Sequence, residues 1–189
     1  MTPMFEAIIR GEALKFETAA GLFSPSGPDA GTMAMLERVK LSPGDKVLDL
    51  GCGYGLIGAW AATVVGSDRV WLVDNDPVAV GLARRNLALN GLDGAEALVS
   101  DGVSALAETG FTHILSHPPY HADFKVAKAF IEKGFNRLIL GGRLFMVTRR
   151  QDWYRNKLTA IFGGVKMTAV GGYFVFDAEK RAMTYARRP

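Results

Sequence analysis

The chain has 189 residues, enough for one domain with a sizeable core, and 49% of them are hydrophobic and 22% charged, a globular balance rather than a disordered one. No run reaches the roughly 18 uncharged apolar residues of a membrane span, the first residues lack a basic stretch ahead of a long apolar core, and the single cysteine, Cys52, allows no intrachain disulfide, so a reducing compartment, cytoplasm by default, is expected. The formal net charge of +3 is unevenly placed: residues 143–189 carry ten Lys/Arg against three Asp/Glu, which implies a polyanionic partner such as RNA.

Residues 1–25 read as an N-terminal appendage and residues 26–189 as the main domain. Phe5, Ile8 and Ile9 have the spacing of a short helix, and Leu14-Lys15-Phe16-Glu17-Thr18 alternates like a strand. Residues 21–28 form a loop, residues 29–40 have helical spacing through Met33, Leu36 and Val39, and Ser42-Pro43-Gly44-Asp45 is turn chemistry. From there strands and helices alternate. A strand at 46–50 leads through a Gly-rich turn into a helix at 56–65, and a strand at 69–73 leads to a helix that Asp76-Pro77 caps and Asn90-Gly91 ends. Strands at 97–100 and 111–115 follow, then a helix at 123–140, a strand at 143–148 and a helix at 153–162. The last two strands are expected near 166–170 and 181–186, with the aromatic run Tyr173-Phe174-Val175-Phe176 between them. This alternation implies a mostly parallel sheet with helices on both faces and an antiparallel hairpin at one edge. Ligands bind such sheets beyond the C-terminal ends of the strands.

After the first strand of the alternation stands Asp49-Leu50-Gly51-Cys52-Gly53-Tyr54-Gly55-Leu56-Ile57-Gly58. Gly53-x-Gly55-x-x-Gly58 satisfies the dinucleotide fingerprint, with Asp74 at the distance of a ribose-binding acid, which allows a nucleotide-dependent oxidoreductase. Asp49 opposes that reading, because a carboxylate at the mouth of the turn repels a pyrophosphate. It suits a ligand with an ammonium group and no phosphates, such as S-adenosylmethionine, or it bonds its own loop. Asp74 can accept both ribose hydroxyls, Asn75 lies along the adenine face, and Asp101-Gly102 can meet the adenine amino group unless Asp101 only caps residues 102–107. Cys52 is a small loop residue here rather than a nucleophile.

The strand at 111–115 runs into Ser116-His117-Pro118-Pro119-Tyr120-His121. Two prolines end any ladder, since neither has an N–H to give. They also forbid a helix that would bring His113, His117 and His121 together, so no metal site is expected.

The acid-plus-glycine loop, the acids after the next two strands and the Pro-Pro-Tyr run together resemble a class I S-adenosylmethionine-dependent methyltransferase over about residues 22–188. The chain is most similar to the methyltransferase small group, which includes ribosomal-RNA guanine N2-methyltransferases. Phe23-Ser24 followed by Asp29-Ala30-Gly31-Thr32 resembles that group's Phe-Ser…Asp-x-Gly-Ser/Thr loop, and Ser116–His121 its Ser-Asn-Pro-Pro-Phe-His. The resemblance implies a Rossmann-like seven-stranded α/β sheet with a reversed last strand. It also implies S-adenosylmethionine held by Asp49, Gly51, Cys52, Gly53, Gly55, Asp74, Asn75, Asp101 and Gly102. His117, Pro118, Pro119 and Tyr120 would form the reacting site, where the family's Asn accepts the amine hydrogens and its aromatic ring stacks on the substrate. His117 replaces that Asn, and an imidazole offers one acceptor nitrogen where the amide offers two lone pairs. It would accept one hydrogen or act as a general base with a rate that varies around neutrality. Phe23, His121, Arg149 and Arg150 would meet a ribosomal RNA substrate. Other substrates consistent with the motif are a protein glutamine or a small molecule, and a cofactor-binding module without transfer is the reading outside enzymes. A homodimer is expected as a means of supplying target recognition.

Overall fold

In the computed structural model, which describes residues 3–21, 24–119 and 124–186, the chain opens with a hairpin. β1 (Met4–Ile9) and β2 (Glu12–Glu17) pair antiparallel around Arg10-Gly11, both at positive φ. That two-residue turn matches the twist of the strands it joins. The helix expected around Phe5, Ile8 and Ile9 is therefore a strand. Ala7, Ile9, Leu14 and Phe16 face the core on a period of two, and Ile8, which gave the helical spacing, faces solvent. Ile9 and Phe16 are fully buried, and each such side chain contributes about 1.5–3 kcal/mol. The hairpin thus shares the core of residues beyond 25.

After α1 (Ala30–Leu36) come β3 (Val47–Leu50), α2 (Leu56–Val65), β4 (Val70–Asp74), α3 (Pro77–Leu89), β5 (Glu96–Val99) and β6 (Phe111–Ser116). The chain continues through α4 (Phe124–Arg137), β7 (Leu138–Thr148), α5 (Asp152–Phe162), β8 (Lys166–Val170) and β9 (Tyr173–Glu179). Seven strands form one sheet in the order β5-β4-β3-β6-β7-β9-β8, parallel except for β9. This is the Rossmann-like sheet with a reversed last strand that the sequence implies. The hairpin, α1, α2 and α3 pack on one face, and α4 and α5 on the other.

Two expectations shift at the far edge. The helix expected to 140 stops at Arg137, and residues 138–142 already belong to β7. The buried Lys180 ammonium ends it, donating to the carbonyls of Phe135 and Leu138. The last strand is the aromatic run itself, not residues 181–186. Gly171-Gly172, both at positive φ, is the turn between β8 and β9, with Val170 opposite Tyr173. Among the described residues no helix is long and apolar enough to cross a membrane.

Candidate active site

β3, β4, β5 and β6 end side by side, and the loops after them enclose a cavity of about 350 Å³. The first of these loops turns on glycine. Gly55 sits at φ 90°, and a Cβ there would lie 3.0 Å from the Cβ of Ala83 and 3.3 Å from Leu72, so no side chain fits between α2, α3 and β4. The N–H groups of Gly51 and Cys52 donate to the Val73 carbonyl, which ties the loop to the end of β4.

Asp49 does not line this cavity. Side chains alternate along β3, and its position faces α2, where it is fully buried. Its Oδ2 accepts the Gly58 N–H at 2.8 Å, capping a helix whose own N-cap, Gly55, has no side chain to do so. Oδ1 has no hydrogen-bond partner among the described residues. Burial, opposed by the Gly58 bond and reinforced by the charge of Asp74, pushes the Asp49 pKa up to about 7. Asp49 therefore braces the loop from beneath rather than facing a ligand's ammonium directly.

Asp74 lies on the cavity wall. Its Oδ2 accepts the Gly53 N–H at 2.8 Å and its Oδ1 the Asp76 N–H at 3.0 Å, while Asp76 caps α3 through Val78 with Pro77 behind it. Each of its oxygens keeps a second lone pair for a ligand hydroxyl. Asn75, Asp101 and Gly102 line the same wall, as do Gly51, Cys52 and Gly53. No helix forms over 102–107, so Asp101 is not a helix cap there. Phe130 of α4 packs against this wall, 3.3 Å from where Gly51 would carry a Cβ and 3.7 Å from the same point on Gly102, and lines the cavity beside them. Burial and the neighbouring Asp49 and Asp74 push the Cys52 thiol up, which suits a wall residue and not a nucleophile.

The charge of the lining is one-sided. Asp29, Asp74, Asp76 and Asp101 contribute carboxyl groups, and among the described lining residues there is no Lys or Arg. Such a cavity favours a cationic ligand and disfavours a pyrophosphate.

At the β6 end, the Ser116 hydroxyl donates to the Leu50 carbonyl at 2.7 Å and fixes the strand against β3. His117 and Pro119 then reach the cavity, and Pro118 is buried behind them. Tyr120, His121 and Phe23 lie outside the described residues. His117 Nδ1 is 2.8 Å from Thr32 Oγ1 and 3.4 Å from Asp29 Oδ1. The Asp29 carboxylate and the Thr32 hydroxyl thus both lie on the Nδ1 side of the ring. Burial lowers the His117 pKa to about 4, with Arg149 lowering it further and Asp29 opposing. The imidazole is thus neutral at physiological pH, and the near-neutral titration expected of an exposed histidine does not apply.

A chain of contacts behind His117 was not visible in the sequence. Asp29 caps α1, its Oδ1 accepting the Thr32 N–H at 3.0 Å. The Tyr173 hydroxyl donates to Asp29 Oδ2 at 2.9 Å and accepts from Arg149 Nη2 at 3.1 Å. The Arg149 guanidinium also lies 4.7 Å from the centre of the Tyr173 ring. The Asp-x-x-Thr spacing of a helix cap marks Asp29 and Thr32. Tyr173 carries no local signal, because the reversed strand brings it across 144 residues to Asp29. Arg149 and Arg150 follow the end of β7 and are exposed.

Against known proteins, the methyltransferase small domain family profile matches residues 13–177. The ribosomal RNA small subunit methyltransferase C of Pseudomonas fluorescens is 33% identical over 88% of this chain, and that of Pseudomonas putida 30% identical over 93%. The chain spans about half the length of these relatives, 51% and 54%. A T. thermophilus 16S rRNA N2 methyltransferase, solved in complex with AdoMet and guanosine, superposes with a TM-score of 0.87 at 33% identity over 95% of this chain and 50% of that one.

Proposed function

We propose, from the premise that this chain belongs to the methyltransferase small domain family, that it methylates an exocyclic amine, the N2 of a guanine in ribosomal RNA, using S-adenosylmethionine. The observation that carries this reading is the acidic cavity ending at a neutral His117 and Pro119.

The residues present fit the cofactor. The carboxyls of Asp29, Asp74, Asp76 and Asp101 favour a molecule bearing ammonium and sulfonium charges, and the same lining disfavours a nicotinamide dinucleotide. Asp74 takes the ribose hydroxyls, Asn75 and Asp101 the adenine edge, and Phe130 packs on a ring from the side of Gly51 and Gly102. S-adenosylmethionine supplies a methyl group already activated on sulfur, so positioning is the chain's main task. Pro118-Pro119 holds the backbone rigid, and its carbonyls have no ladder to join. His117, neutral and held through Nδ1, orients the amine by accepting one of its hydrogens rather than by taking its proton. Tyr120 stacks on the base in the family pattern, and Phe23, His121, Arg149 and Arg150 meet the RNA around it. The cytoplasm is the matching place of action, and a homodimer, checked by light scattering, is the expected means of extending the RNA surface.

The test supplies labelled methyl donor with small ribosomal subunits, free ribosomal RNA and guanosine. Wild type is expected to label RNA, His117→Asn to stay within about tenfold of it, and His117→Ala to fall by about a hundredfold. No label in any pool from protein that binds S-adenosylhomocysteine would overturn the substrate reading.

A further inference from the structure

α4 and α5 both begin at the end of the sheet where the cavity opens, since each follows directly on the loop after a parallel strand, β6 or β7. Their first turns bring Phe124 and Trp153 together. The two rings stack with centroids 4.4 Å apart and planes 24° from parallel. The Arg150 guanidinium sits 4.8 Å from the centre of the Phe124 ring. Both aromatic residues are partly buried against the core and keep some exposed surface, unlike the buried Phe130 and Phe135 further along α4. Val126, two residues beyond Phe124 on the same helix, lines the cavity. Arg149, next to Arg150, belongs to the contacts that hold His117. Lys125 adds exposed positive charge at the start of α4, and the Asp152 carboxylate nearby faces Arg155 at 3.5 Å.

We propose that Phe124, Trp153 and Arg150 form a stacking platform for the nucleobase adjacent to the target nucleotide, with Arg149 and Arg150 on the flanking phosphates. This rests on the RNA reading above and names a subsite for it. A base taken out of its stack leaves neighbours with exposed π faces, and an aromatic-plus-arginine stack at the rim offers them a new surface. A double-stranded partner would present no such face, so the site selects single-stranded or locally opened RNA. Stacking is tolerant of base identity, and this subsite is therefore expected to anchor the strand rather than read its sequence.

The test uses short single-stranded RNA oligonucleotides with one central guanine, intact or abasic at its 5′ or its 3′ neighbour, followed by fluorescence anisotropy. Wild type is expected to bind one of the two abasic strands about 5- to 100-fold more weakly than the intact strand, the range for loss of one stacked base. Trp153→Leu, which keeps an apolar side chain against Tyr154, is expected to lose that discrimination, and Trp153→Phe to retain it. Arg150→Ala, at an exposed position, is expected to weaken every strand through the lost phosphate contact, the intact strand most, and to lower the salt slope by about 0.7. Equal binding of intact and abasic strands by wild type, no binding of any strand, or undiminished discrimination in Trp153→Leu would each overturn the platform. S-adenosylhomocysteine titration of the same proteins reports separately on the methyltransferase reading, since its loss in wild type would sink that reading whatever the RNA does.

Discussion

Asp49 holds its proton to about pH 7 in the folded chain, whereas the unfolded carboxyl ionises near 3.8. Between those values the folded state binds more protons, so the stability tied to this group is complete below the lower value and is lost as pH rises through the upper one. Asparagine at this position keeps an oxygen for the Gly58 N–H and never ionises, while any cost of its amide in place of Oδ1 does not vary with pH. The melting temperature of Asp49→Asn relative to wild type is therefore expected to climb by several degrees from about pH 4 to about pH 8 in ligand-free protein. A difference that stays constant in calorimetry across that range would mean the buried carboxyl ionises without penalty. His117 runs the other way. Its folded pKa of about 4 lies below the 6.5 of a free imidazole, so its contribution is lost as pH falls between the two. At saturating cofactor and substrate, with chemistry rate-limiting, the rate is expected to be flat from about pH 5.5 to about pH 8, and an inflection near 6.5 would restore His117 as a base. The identity of both residues was legible in the sequence. Their environments were not, since a one-residue parity on β3 decides which face Asp49 takes, and partners 85 residues away decide the burial of His117.

The link between α1 and β9 depends on a residue with no side chain. A Cβ on Gly31 would lie 2.4 Å and 2.5 Å from two ring carbons of Tyr173, which is itself buried. Gly31→Ala must push that ring away and with it the Tyr173 hydroxyl from Asp29, the cap that also adjoins His117. A cost of about 1–3 kcal/mol in urea unfolding is expected, together with slower methyl transfer. In a Tyr173→Ala background the same Gly31 change is expected to cost little, and an equal cost in both backgrounds would place the clash elsewhere. Elements of this kind divide cleanly by what a sequence can carry. The alternating strands and helices from β3 to α5 were readable because burial period and caps are local. The Arg10-Gly11 hairpin and the place of the last strand were not, because an apolar spacing at the first and a pair of glycines before the second fit two local structures, although an antiparallel hairpin at that edge was expected. Pairing across the sheet chose between them.

For the whole molecule, charge is sorted by depth. Four carboxyl groups from α1 and from the ends of β4 and β5 line the cavity, while Arg149 and Arg150 stand exposed after β7 at the same end of the sheet, and Lys166 and Arg181 stand exposed at its opposite end. The excess of cations after residue 143 was legible as composition. The meeting of Asp74 and Asp101 followed from the strand order, but the addition of Asp29 and Asp76 to them was not legible, because Asp76 reads as a cap and Asp29 comes from a separate stretch that only the closed sheet brings near. The two fields are expected to respond differently to salt. RNA binding displaces counterions from each phosphate contacted, with a slope of about 0.7 per contact for a single strand, so raising salt from about 50 mM to about 200 mM should weaken it on the order of tenfold or more. The cofactor is small, bears no phosphates and displaces no condensed counterions, so its affinity should move by less than about threefold over the same range. Anisotropy for RNA and calorimetry for S-adenosylhomocysteine, run on one preparation, give both slopes. RNA affinity as insensitive to salt as cofactor affinity would mean that the exposed arginines do not meet phosphate, and that recognition rests on stacking and shape alone.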